Sequence, residues 1–199
     1  MRRILLFSAE SLSVTKSEID RGSVPGLISD VCRCIQATFF LSHALRKDAQ
    51  LLIFDATDKG IMMDGERLKY LGPDERSAAI RIMKALETRK EHDKSFHEST
   101  PGIFVGYNLE ECILRIIEEK ADVFFPKDSG QSLRNVNIKD NVLAILPLRG
   151  ELGYEGNKFL ERSNGKGVRF TKGDFVADSA ILLLNNEIDR RTIRAERNI

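Results

Sequence analysis

The sequence predicts an α/β fold: a largely parallel sheet with helices on both faces. Short, almost continuous apolar runs such as Ile4–Ser8 (ILLFS), Leu51–Ala56 (LLIFDA) and Asn141–Leu146 (NVLAIL) have the length and density of strands buried on both sides. They alternate with longer stretches whose apolar residues recur every three or four positions. The connections between them are short, which favours parallel strands joined by crossover helices.

In chain order, Ile4–Ser8 is the first strand, and Glu10–Val24, rich in Ser, Thr and charge, is expected to be a loop. Pro25 and Gly26 introduce a helix running to about Arg46, with Ile28, Val31, Cys32, Ile35 and Phe39 on its buried face. Leu51–Ala56 is the second strand, and Gly60–Gly65 an extended arm with a turn. Pro73, Asp74 and Glu75 start the next helix, where proline and acidic side chains both suit the first turn. Arg89–Thr100 is a charged connection, Gly102–Gly106 a strand, Leu109–Lys120 a helix and Asp122–Phe125 a short strand. Asn141–Leu146 then leads into Pro147-Leu148-Arg149-Gly150-Glu151-Leu152-Gly153-Tyr154. Near the end, a strand-like run from Val168 meets a Lys172-Gly173-Asp174 turn and a last helix. Ala177, Ala180, Ile181, Leu184 and Ile188 form one stripe of that helix, while Leu182 and Leu183 fall outside it. A helix apolar on more than one face is expected to be covered twice, by its own domain and by another surface.

Composition narrows the function classes. The 199 residues suit one domain, taken as 1–199. Lys+Arg 31 against Asp+Glu 30 nearly cancel, so a polyanion site has to be a local patch. Three cysteines fit a reduced compartment, and no apolar run approaches the roughly 20 residues of a membrane span. Cys32 and Cys34, two apart on a helix, cannot grip one ion together and read as buried fillers. The three histidines have no metal-ligand spacing, so no metal is expected. Neither a Walker A sequence nor Gly-x-Gly-x-x-Gly follows the first strand. Arg46, in Ser42–Asp48, reads either as a cation complementing a helix end or as a ligand contact. Arg190, Arg194 and Arg197 would share a helical face suited to phosphates, or else form a solvated end.

Several of these segments, in order, resemble the archaeal tRNA (pseudouridine-54) N1-methyltransferases, the TrmY branch of the SPOUT methyltransferases. They are Pro25-Gly26, Val31–Cys34, Phe39–Asp48, Asp64-Gly65, Pro73–Ser77, Thr100–Ile103, Ala177-Asp178 and Asn186–Arg190. The resemblance implies a SPOUT fold with a C-terminal trefoil knot, roughly 141–190, and a cytoplasmic homodimer acting on tRNA without metal or membrane. It implies S-adenosylmethionine held by two loops: Leu146, Pro147, Leu148 and Gly150 in the first, Phe170, Thr171 and Gly173 in the second. Asp74 is expected to recognise the base edge or accept its proton, with Arg46 and Arg76 positioning the nucleotide. Arg2, Arg3, Arg33, Lys47 and the arginine tail are further candidates for RNA. The chain differs from the family pattern at Thr171-Lys172 and Ala180, and in the register of 147–154. Methylation of another RNA, or RNA binding without methyl transfer, are the alternative readings, and a generic doubly wound nucleotide-binding protein is the structural rival.

Overall fold

The computed structural model describes residues 1–42, 44–57, 59–91, 97–108, 121–139 and 141–196. All the strands described join one sheet. Its parallel part holds β1 (Arg2–Phe7), β2 (Ala49–Phe54), β6 (Asp122–Ser132), β7 (Val142–Pro147) and β8 (Lys166–Arg169), in the order β2-β1-β7-β6-β8. Three antiparallel strands extend it beyond β2: β3 (Lys59–Asp64), β5 (Ile103–Asn108) and β4 (His97–Thr100). The predicted arm is therefore a paired strand, β3, and the predicted charged connection contains β4. The Leu109–Lys120 helix expected from the sequence lies outside the described residues.

The strands divide their side chains between two cores, as the two-residue period of a strand requires. Ile4 and Leu6 of β1 face one side, together with Leu51, Ile53, Ala144 and Leu146. Helices α2 (Gly26–Phe39), α3 (Glu75–Glu91) and α5 (Ala177–Glu196) cover that side. Leu5 and Phe7 face the other, where Phe159 and Leu160 of α4 (Gly153–Ser163) pack. Burial on both faces explains why these strands read as unbroken apolar runs.

Three helices differ from the sequence reading, one of them α4, which stands where the sequence reading names no element. The stretch expected to be loop contains α1 (Lys16–Asp20), opened by a capping box in which Thr15 and Glu18 satisfy each other's backbone N–H. The helix expected to reach Arg46 stops at Phe39, because Phe40 turns to extended backbone and bridges Leu45. The tight loop that follows brings Arg46 and Asp48 back beneath the start of β1. There Arg2 donates to Asp48 Oδ2 and Asp189 Oδ1, and Arg46 Nη1 donates to the same Asp189 oxygen at 2.8 Å.

Candidate functional site

In an open sheet of parallel strands, ligand sites form beyond the carboxyl ends, where loops diverge. Here β1 and β7 end in register at Phe7 and Pro147, and β2 ends beside them at Phe54. The chain leaving β7, the chain leaving β8 and the middle of β6 wall a cavity of about 400 Å³. Its walls include Phe125–Asp128, Gly150–Leu152 and Val168–Thr171, with Phe175 beyond and Leu160 of α4 behind. Gly150 has φ +59°, a left-handed conformation that favours glycine, and a side chain added there would meet no protein atom within 4 Å. Backbone therefore borders the cavity closely at this turn.

Four of the seven residues expected to hold the cofactor line this cavity: Pro147, Gly150, Phe170 and Thr171. Leu146 is buried in β7 one residue earlier, and Leu148 faces a second cavity. Gly173 is exposed, and its carbonyl accepts the Thr171 hydroxyl in the turn. The sequence reading missed Phe125–Asp128, which enters because β6 lies between β7 and β8 in the sheet. Strand order was the information needed, although Phe125-Pro126 at the end of an apolar run was a local hint. Ala180 is a fully buried packing position against Ala177, Ile181 and Leu184.

The second cavity, about 240 Å³, adjoins the first and shares Gly150 and Phe175 with it. Two aspartates and two arginines border it. Asp30 of α2 accepts from Arg33 Nη2 through one oxygen and from Arg149 Nε through the other. Asp178, in the first turn of α5, accepts from Arg33 Nε at 3.1 Å. Cys34 also borders it; burial, reinforced by Asp178 and Asp30, pushes its thiol well above the ordinary range. Burial raises the Cys32 thiol to about 12 as well, so both cysteines of α2 are protonated fillers rather than nucleophiles. Among the described residues no group of three His, Cys, Asp or Glu could hold a metal, and no helix is long and apolar enough to cross a membrane.

The residues expected to handle the nucleotide sit elsewhere. Arg46 is buried at the opposite end of the sheet, where Asp189 lies roughly 18 Å of helix beyond Ala177 at 1.5 Å per residue. It is not at a helix end, because α2 stops before it. Asp74 caps α3, accepting the Ser77 N–H at 2.8 Å. Arg76 donates to Ile19 O and Asp20, tying α3 to α1. None of the three lines either cavity. Arg2 belongs to the buried cluster with Arg46, and Arg3 donates to Gln50 at 3.1 Å. Of the arginine tail, Arg190 and Arg191 converge on Glu187, and Arg191 also donates to the carbonyls of Val136 and Arg134. Arg197 lies outside the described residues. The Arg194 side chain lies outside them too, so of the expected phosphate-binding face only Arg190 is described, and it donates to Glu187 of its own helix.

Comparison with known proteins shows which family the chain is similar to along almost its whole length. The family of SAM-dependent RNA methyltransferases matches residues 1–193. The tRNA (pseudouridine(54)-N(1))-methyltransferase of Methanocaldococcus jannaschii is 31% identical, over 96% of this chain and 98% of its own. The protein of the same name from Methanococcus vannielii is 32% identical, over 89% of this chain and 94% of its own. Among solved structures, that of Archaeoglobus fulgidus Nep1 bound to S-adenosylhomocysteine superposes with a TM-score of 0.61 at 14% identity. That alignment covers 98% of this chain and 99% of Nep1, which shows a shared fold.

Proposed function

The chain belongs to the family of SAM-dependent RNA methyltransferases, and from that premise we propose that it methylates N1 of pseudouridine-54 in the T-loop of tRNA. The observation that carries the reading is the 400 Å³ cavity at the carboxyl ends of β7 and β8, beside the middle of β6. Its volume lies within the roughly 300–1,000 Å³ of small-molecule sites. Its walls suit S-adenosylmethionine: Phe170, Phe175 and Leu160 offer apolar surface, backbone at Gly150 is accessible, and Asp128, Glu151 and Lys127 offer charges of both signs. Pro147, Gly150, Phe170 and Thr171 would hold it, with Leu146, Leu148 and Gly173 shaping the two loops. When bound, that cofactor supplies a methyl group on a sulfonium, which is already strongly electrophilic. The protein's part is then to align the acceptor nitrogen, keep competing water out and receive a proton.

The reading includes a knot, roughly 141–190. Its support is that α5 packs on the sheet through Ala180, Ile181 and Leu184, while the β6–β7 connection lies against α5 through Arg191 and the Val136 carbonyl. It also includes a homodimer formed on the outer face of α5, where Leu182 and Leu183 are exposed. The tRNA backbone would meet exposed cations at the rim of the cofactor cavity, Lys127 and Arg169. A cytoplasmic location accords with that substrate.

In this proposal Asp74, Arg46 and Arg76 hold elements together rather than contact the nucleotide: Asp74 caps α3, Arg76 ties α3 to α1 and Arg46 pairs with Asp189. Asp74→Asn preserves an N-cap acceptor, so single-turnover methylation is expected to stay close to wild type; a large loss would return Asp74 to the chemistry.

The main test incubates the protein and S-adenosylmethionine with tRNA carrying either pseudouridine or uridine at position 54, followed by mass spectrometry of the nucleosides. Methylation of the pseudouridine substrate alone is expected. Methylation elsewhere would redirect the assignment to another RNA site. Calorimetric binding of S-adenosylhomocysteine without transfer to any RNA would favour a binding protein.

A further inference from the structure

We propose that the 240 Å³ cavity between α2, the Leu148–Gly150 turn and the start of α5 is the acceptor-base subsite, and that Asp178 takes the proton of the ring nitrogen that becomes methylated. This deepens the reading above and rests on it.

Position gives the first argument. The cavity adjoins the proposed cofactor cavity and shares Gly150 and Phe175 with it, so a base held there lies next to the methyl donor. Methyl transfer needs such proximity and in-line alignment. Its volume falls below the range of whole-ligand pockets, which suits one flat heterocycle whose ribose and phosphates stay outside.

Charge gives the second. Asp30 and Asp178 balance Arg33 and Arg149, whereas a phosphate site would carry net positive charge. The pseudouridine ring presents N–H and C=O groups alternately around its edge. Carboxylates only accept hydrogen bonds and guanidinium groups only donate, so an Asp–Arg wall meets both kinds of group on a neutral ring.

The two aspartates have different commitments. Each Asp30 oxygen takes an arginine N–H, which fixes both guanidinium groups and makes Asp30 a positioning residue. Asp178 has one arginine contact, to Oδ2, while Oδ1 accepts the Ser179 backbone N–H at 2.7 Å and the Ser179 hydroxyl at 3.4 Å. Its side chain is 19% exposed. It is paired with one guanidinium where Asp30 is paired with two, so it is the carboxylate less committed to holding arginines in place. In the reaction the bond from N1 to the methyl carbon forms as the cofactor's S–C bond breaks, and the N1 proton passes to Asp178. A neutral ring, a sulfonium cation and a carboxylate become a neutral methylated ring, a thioether and a carboxylic acid.

The test uses the full-length protein with S-adenosylhomocysteine and two T-arm stem–loops, one with pseudouridine at the target position and one with uridine, which presents C–H in place of that N–H. Wild type is expected to bind the pseudouridine RNA about tenfold more tightly. Asp178→Ala removes the acceptor and is expected to bring that ratio close to one. Asp178→Asn keeps an oxygen acceptor but cannot take the proton; it should preserve most of the ratio while slowing single-turnover methylation at least about 100-fold. Calorimetry with S-adenosylhomocysteine checks folding, with affinities of both variants within about twofold of wild type. Asp178→Ala retaining the wild-type ratio, Asp178→Asn retaining the wild-type rate, or wild type failing to discriminate would each overturn the proposal. If wild type discriminates and Asp178→Ala does not, but no methyl is transferred, the methyltransferase reading fails while the base subsite stands.

Discussion

Asp55, just past the end of β2, shows how much one buried residue can hold together. Its side chain is 0% exposed and its carboxylate takes both ends of the Arg89 guanidinium, the Thr57 hydroxyl and the Leu12 backbone N–H. Burial alone would raise its pKa, but Arg89, Thr57 and Leu12 together outweigh that and hold it below the ordinary carboxylate range. A depressed folded pKa contributes stability that is fully present above the unfolded value, about 3.9, and is lost as pH falls through the folded value. Urea midpoints are therefore expected to hold steady from neutral pH to about 5 and to decline below about 4, with a shallower decline in Asp55→Asn. Asp55→Ala leaves Arg89 buried without its carboxylate and is expected to cost about 3–5 kcal/mol by urea unfolding, part of which Arg89→Met in the same chain should restore. This pair was not legible in the sequence, because nothing local marks one aspartate after a strand as the partner of an arginine at the end of a distant helix. Asp74 was legible as a helix start, and its carboxylate does cap α3. The Thr15-x-x-Glu18 capping box is equally local, but the Ser, Thr and charge around it have the composition of a loop.

The last helix was the most legible element. Its stripe of Ala177, Ala180, Ile181 and Leu184 is buried, while Leu182 stands 57% exposed on another face. The polar residues at its far end are placed by tertiary structure. Asp189 accepts from Arg2 and Arg46, and Asn185 bridges from Arg2 to the Ala37 carbonyl of α2. These bonds fasten α5 to the start of β1 and the end of α2, opposite the proposed cofactor loops. Arg2 and Arg46 are almost fully buried but Asp189 is partly exposed, so Asp189→Ala is expected to cost roughly 2 kcal/mol rather than the full cost of a buried ion pair. Hydrogen exchange should show the loss in the last turns of α5, with S-adenosylhomocysteine affinity little changed. A drop in affinity with no change in exchange would place Arg46 in the chemistry after all. Sequence periodicity could read the buried stripe because a helix repeats its own geometry. It could not read the fastening, whose partners lie far apart in the chain.

For the molecule as a whole, the outer face of α5 carries the prediction. Leu182→Glu, which places a charge on an exposed apolar position, is expected to convert the proposed dimer to monomer in sedimentation or light scattering, while circular dichroism stays unchanged. An unaffected dimer would move the interface elsewhere. The sequence by itself determined the buried strands, the amphipathic helices and their alternation, because strand and helix periods are local consequences of backbone geometry. With the ordered motifs it also indicated the family, and it located both loops that border the larger cavity. Tertiary structure decided the rest. Only the order β1-β7-β6-β8 brings Phe125–Asp128 between those loops. Only the packing of α2 against α5 sets Asp30 and Arg33 beside Asp178 and Arg149. The same packing holds Arg46 against Asp189, at the other end of α5 from the two cavities. A side chain's neighbours across the fold depend on strand order and helix packing, and these are fixed by the burial of the whole chain rather than by any local run of residues.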